Sequence, residues 1–112
     1  MSISTHVLDA SLGRPAPGMD LTLDRWSEDG TWTTLSTGST NADGRCPELT
    51  ADLDLGAGVY RLTFGTGDYF ARVGTETFYP VVELTFAVTD PGAHYHVPLL
   101  LSPFAFSTYR GS

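Results

Sequence analysis

The chain has a single cysteine, Cys46, in 112 residues. No intrachain disulfide can form, and nothing in the cysteine usage points to an oxidising compartment. Basic residues are also few: six Lys and Arg stand against thirteen Asp and Glu, a formal net charge of −7. A negative field of that size opposes a nucleic-acid backbone or an anionic membrane as partner, although a small-molecule site can still be locally basic. Long apolar runs are missing. The longest, "VPLLL" at 97–101, is far too short to span a bilayer. The opening residues, "MSISTHVLDA", lack the basic and apolar regions of a secretory signal, so a cytoplasmic protein is expected. Repeats, low-complexity tracts and linkers are absent too, which leaves one domain over residues 1–112.

What is present is punctuation and alternation. Twelve Gly and seven Pro cut the chain into short pieces, and most pieces alternate apolar and polar residues. Met19, Leu21 and Leu23 oppose Asp20, Thr22 and Asp24; Tyr60, Leu62 and Phe64 oppose Arg61 and Thr63; Val82, Leu84, Phe86 and Val88 oppose Glu83 and Thr85. Period-2 patterning of this kind marks antiparallel strands with one buried face. Turn signals such as "GRPAPG", "EDG", "NADGR", "TDPG" and "LSP" fall between them. Strands are expected near 3–9, 19–26, 31–38, 51–54, 58–65, 82–88, 94–101 and 104–110. Eight short strands predict an all-β sandwich or barrel. One stretch resists: Tyr69, Phe70 and Val73 have helical spacing, so a short helix is expected at 68–73, closed by Gly74.

The histidines are the most reactive residues, and there are three. Alternate residues of a strand share a face, so His94 and His96 point together, away from Tyr95, Val97, Leu99 and Leu101, which form a core face. In the first strand His6 shares a face with Ser4 and Leu8. In the last, Ala105, Ser107 and Tyr109 lie opposite Phe104, Phe106 and Thr108, which are expected to face the core. His94, at a turn–strand boundary, reads as a solvated side chain. His6, His94 and His96 could instead hold zinc, since imidazoles on one face can ligate a metal. Arg45, after the "NADG" turn, would ordinarily face solvent.

Four stretches carry a resemblance: "THVLDASLGRPAPG" at 5–18, "TNADGR" at 40–45, "FYPVVELTF" at 78–86, and "HYHVPLLLSP" at 94–103 leading into "STYRGS". Together they resemble the 5-hydroxyisourate hydrolase branch of the transthyretin-like proteins, over essentially the whole chain. The Tyr-Arg-Gly-Ser motif is its most specific part, because it separates the hydrolases from the hormone carriers. The resemblance implies a transthyretin-like sandwich of two four-stranded sheets with one short helix. It implies a homotetramer, a dimer of dimers, whose central channel is lined by the first, seventh and eighth strands. By the same resemblance His6, Arg45 and His96 match catalytic positions, and His6, Arg45, Tyr109 and Ser112 match substrate-binding ones. The implied reaction opens 5-hydroxyisourate to 2-oxo-4-hydroxy-4-carboxy-5-ureidoimidazoline in urate degradation, with no cofactor and no metal. Phe106 stands where a tyrosine is usual, and a packing change alone is expected from it. A transthyretin-like carrier and a zinc-dependent cyclic amide hydrolase are the alternatives.

The residue types suit such chemistry. Opening a cyclic amide needs an activated water, a site for negative charge on the carbonyl oxygen and a proton for the departing nitrogen. Imidazole titrates near neutrality and can move protons in either direction. The arginine fork stays charged and can bind an oxygen-rich edge and an oxyanion. At the far end, Gly111 is expected to let the backbone pass where a Cβ would clash. Ser112 is expected to bring its hydroxyl and α-carboxylate to the site.

Overall fold

The computed structural model describes residues 2–112. Eight strands and one helix follow in order: β1 (Ser2–Asp9), β2 (Arg14–Pro15), β3 (Asp20–Trp26), β4 (Trp32–Ser39), β5 (Gly58–Phe64), α1 (Thr66–Arg72), β6 (Val82–Val88), β7 (His94–Ser102) and β8 (Ala105–Thr108). They form two four-stranded sheets, ordered β2-β1-β7-β8 and β4-β3-β5-β6. The alternating apolar residues meet between them. Ile3, Val7, Leu99 and Leu101 from one sheet pack toward Leu21, Leu23, Tyr60, Leu62 and Phe64 from the other, all nearly inaccessible to water. Helix α1 buries Tyr69 and Phe70 against this core and leaves Val73, the C-cap, half exposed. Among the described residues no helix is long and apolar enough to cross a membrane.

The strand expected at 51–54 is not there. Residues 46–53 instead form successive turns, with Leu49 N–H donating to the Cys46 carbonyl, Ala51 to Glu48 and Leu53 to Thr50. Asp52 has a φ of 64°, a left-handed conformation that a strand does not contain. The segment has a different task. The Thr50 hydroxyl accepts from Ile3 N–H and donates to the Ile3 carbonyl, covering the free flank of β1. The eighth strand comes from Arg14–Pro15, inside a stretch whose glycines and prolines read as a turn. It is only two residues long and pairs with Leu8 and Asp9.

The last strand also departs from expectation. Phe104 and Phe106 are not core residues: the first is 64% exposed and the second 38%. β8 is an edge strand, paired on one side with β7, and none of its residues is buried. Phe106 still finds a partner, since its ring meets that of Tyr79 edge-on at 5.0 Å.

Buried polar groups in the first sheet are satisfied. The Thr5 hydroxyl donates to the Val97 carbonyl. Asp9 accepts from Ser11 and from the backbone of Leu12 and, through its other oxygen, from the Tyr69 hydroxyl at 2.7 Å. Burial opposes its ionisation, but these bonds outweigh that and hold its carboxyl below the ordinary value. Burial and the adjoining Asp9 push the Tyr69 phenol up to about 12. The pair fastens α1 to the end of β1, which steadies the strand bearing His6.

Candidate active site

The central pairing of the first sheet is parallel. β1 and β7 run side by side with Ser2 opposite His94, Ser4 opposite His96, His6 opposite Pro98 and Leu8 opposite Leu100. Partners in register share a face, and here it is the outer face, away from the core. β8 extends this grid. Leu99 pairs with Thr108, and beyond the strand an isolated bridge joins His96 to Gly111 in the same register. Tyr109 therefore lies abreast of Pro98, on the far side from His6, about 10 Å from it across two strand spacings.

Arg45 reaches the grid from another part of the chain. The Asn41 side-chain oxygen accepts from the N–H groups of Asp43 and Arg45, closing the turn. Gly44 then presses against β1: its carbonyl accepts from Val7 N–H at 2.8 Å. A Cβ on Gly44 would lie 2.3 Å from the Val7 carbonyl oxygen, and its φ is +76°. Only glycine fits that approach comfortably. The result is a bridge between Arg45 and His6.

His96 is half-buried at the centre. Burial lowers its pKa from 6.5, and the positive charges of Arg45, His94 and His6 lower it further. The imidazole is therefore held in its neutral form at neutral pH. Its Nδ1 lies 2.7 Å from the Ser4 hydroxyl. Gly111 passes directly over it: the Gly111 N–H donates to the His96 carbonyl at 2.8 Å, and a Cβ there would sit 2.5 Å from His96 Cδ2.

Three of the five expected residues, His6, Arg45 and His96, are thus brought together. Tyr109 adjoins them at the β8 edge, 60% exposed, and Ser112 follows the Gly111 bridge and is also exposed. His94 is exposed but is not a free surface histidine. Its ring nitrogens meet the hydroxyls of Ser2 and, at 2.9 Å, Ser4. Ser4 is the participant that sequence reasoning missed. Alternation placed it on the His6 face, but only the β1–β7 register sets it between two histidines. Among the described residues, no three His, Cys, Asp or Glu side chains are grouped to hold a metal ion. The three histidines are instead spread over successive rows of the grid, two of them joined through serine.

A two-sheet sandwich with one short helix, carrying histidines and an arginine on the outer face of one sheet, is a transthyretin-type architecture. A family model described as "HIUase/Transthyretin family" matches residues 3–111. The chain belongs to that family. It is 46% identical over 111 residues to a Mus musculus protein named 5-hydroxyisourate hydrolase, covering 98% of this chain and 94% of the relative. Among solved structures, 5-hydroxyisourate hydrolase from Klebsiella pneumoniae superposes with a TM-score of 0.84 at 41% identity, covering 98% of this chain and 92% of that one. Sea bream transthyretin in complex with thyroxine superposes with a TM-score of 0.92 at 36% identity, covering 97% and 93%.

Proposed function

We propose that this chain is a 5-hydroxyisourate hydrolase, one hydrolase domain over residues 1–112, that opens the six-membered ring of 5-hydroxyisourate to 2-oxo-4-hydroxy-4-carboxy-5-ureidoimidazoline in urate degradation. The observation that carries this reading is the meeting of His6, Arg45 and His96 on one sheet face, in a chain 46% identical to a named hydrolase. His96, kept neutral by burial and Arg45, is the base that takes a proton from water. Hydroxide adds to the ring carbonyl, and the Arg45 guanidinium stabilises the oxygen that gains charge. The carbon–nitrogen bond then breaks, and the proton passes back to the departing nitrogen. His6, beside Arg45, orients the substrate. Tyr109 and Ser112 close the site from the β8 side. No cofactor or metal takes part in this scheme.

The histidine grid is an open surface bordered by half-buried Leu8 and Leu100. Closing two such faces on each other buries apolar area and makes a cavity, which supports a homotetramer built as a dimer of dimers. Light scattering of the active protein should give four copies. A buried, unpaired Cys46, its thiol pushed up to about 11 by burial and by Glu48, suits a reducing cytoplasm.

The test is spectrophotometric: freshly generated 5-hydroxyisourate should decay much faster with the protein than without it. Activity that disappears on chelation together with a stoichiometric metal would favour a zinc enzyme. One observation favours a carrier, the likeness to sea bream transthyretin solved with thyroxine. A protein that binds thyroxine and leaves 5-hydroxyisourate decay at its spontaneous rate would establish that alternative.

A further inference from the structure

Arg45 and His96 make opposing demands on each other. Arg45 must stand close enough to stabilise an oxyanion, yet its charge opposes protonation of the base beside it. A proton taken by His96 needs somewhere to go during the reaction. The first sheet holds a path for it. Ser4 Oγ is 2.7 Å from His96 Nδ1 and 2.9 Å from His94 Nε2, and Ser2 Oγ bonds to His94 Nδ1. These four groups come from two strands in parallel register, so the backbone pairing itself holds the chain of bonds in line.

We infer that Ser4 and His94 are positioning residues forming a proton relay, with Ser4 carrying the proton of half-buried His96 to exposed His94. The inference rests on the hydrolase reading for its use, but its geometry is independent of the substrate. Each hydroxyl has one proton to donate, so the bonds run one way along the whole chain, and the relay requires the direction that ends at His94. At rest, His96 Nδ1–H donates to Ser4, Ser4 O–H donates to His94 Nε2, and His94 Nδ1–H donates to Ser2. That leaves the His96 Nε2 lone pair free for water. When Nε2 takes the water proton, Nδ1–H passes to Ser4 as the Ser4 proton passes to His94. His94 becomes the imidazolium, and His96 is neutral with its proton on Nε2. Giving that proton to the departing nitrogen reverses the shuttle: His94 Nε2–H returns through Ser4 to His96 Nδ1. No proton is gained or lost by the protein over the cycle. The cation rests on the exposed imidazole, solvated and farther along the chain, rather than beside Arg45.

The test uses Ser4→Ala, Ser4→Thr and His94→Ala in the full chain, each checked for a wild-type melting curve. Long-range proton–nitrogen NMR reports which His96 nitrogen carries hydrogen. Wild type should show Nδ1–H, and Ser4→Ala should shift the population toward Nε2–H. For Ser4→Ala, kcat should fall about tenfold or more with KM within roughly twofold, consistent with the loss of proton-transfer assistance. Ser4→Thr keeps the hydroxyl and should recover most of the rate. His94→Ala should lose about tenfold, restored in part by added imidazole. A wild-type His96 protonated on Nε2, or a Ser4→Ala protein with unchanged tautomer and kcat within about twofold, overturns the relay. A wild type without ring-opening activity would instead remove the hydrolase reading, and the tautomer measurement would then decide the relay by itself.

Discussion

Gly44→Ala is the sharpest probe of how the fold supplies the site. The glycine has no side chain to offer a substrate, yet it adjoins Arg45, and a Cβ on it would lie 3.3 Å from His6 Cδ2. An alanine at a φ of +76° costs about 1–2 kcal/mol of left-handed strain. Its Cβ would also sit 2.3 Å from the Val7 carbonyl oxygen, a backbone atom pinned within β1. The turn must retreat by about 1 Å to reach an ordinary contact distance. That retreat stretches the Val7 N–H bond to the Gly44 carbonyl, worth about 1 kcal/mol. The total is roughly 2–3 kcal/mol of stability, or about 8–12 °C in Tm for a chain of this size. The same 1 Å moves Arg45, the next residue, and a displacement of that size can cost about 10²-fold in rate. Ring-opening kinetics on fresh substrate and melting at matched protein concentration read the two effects separately. Arg45→Ala is the control, losing activity while melting near wild type, because its side chain is exposed. A Gly44→Ala protein with wild-type Tm and rate would refute the docking of this turn on β1.

His6→Ala, Arg45→Ala and His96→Ala should each lose about a hundredfold or more, at least about 2.7 kcal/mol of barrier, with little change in Tm; His94→Ala, at about tenfold, should be milder than any of them by the same assay. Gly111→Ala sets a Cβ 2.5 Å from His96 Cδ2, so the ring must rotate or the terminal bridge must open. Its rate should fall about 10²-fold while the sandwich, whose core has no β8 residue, melts nearly unchanged. Deleting residues 109–112 should have the same signature, and a stable, fully active truncation would remove Tyr109 and Ser112 from the site. His96 should titrate below 6.5 by NMR, and Arg45→Ala should move that titration upward, since the guanidinium is among the charges depressing it. The linked stability is fully present above the unfolded value near 6.5 and is lost as pH falls through the folded one, because the unfolded chain binds the proton first. A His96 titration at or above 6.5 in wild type contradicts the burial and charge assigned here.

The division between local and tertiary information follows from the period of a strand. Alternation is a property of neighbours along the chain, so the sequence by itself determined that His94 and His96 share a face and that His6 faces away from Ile3 and Val7. It likewise determined the buried faces of β3, β5, β6 and β7 and the helix near Tyr69. Pairing order and register are long-range, and no local pattern encodes them. The parallel pairing of β1 with β7 alone decides that Ser4 stands between His94 and His96, and so turns a histidine that read as solvated into a member of a hydrogen-bonded chain. The reading of Phe106 as core had the right alternation, since it pairs with buried Leu101, but lacked one fact: β8 is an edge; Phe104 lies in the turn before that strand. Residues 51–54 failed for a related reason. Short apolar alternation makes a strand only where a partner offers free backbone groups, and the flank of β1 is met there by turns and the Thr50 hydroxyl. Arg45 lies between these cases. Its turn was legible in "NADG", but its place beside His6 exists only because Gly44 lets two distant backbones approach.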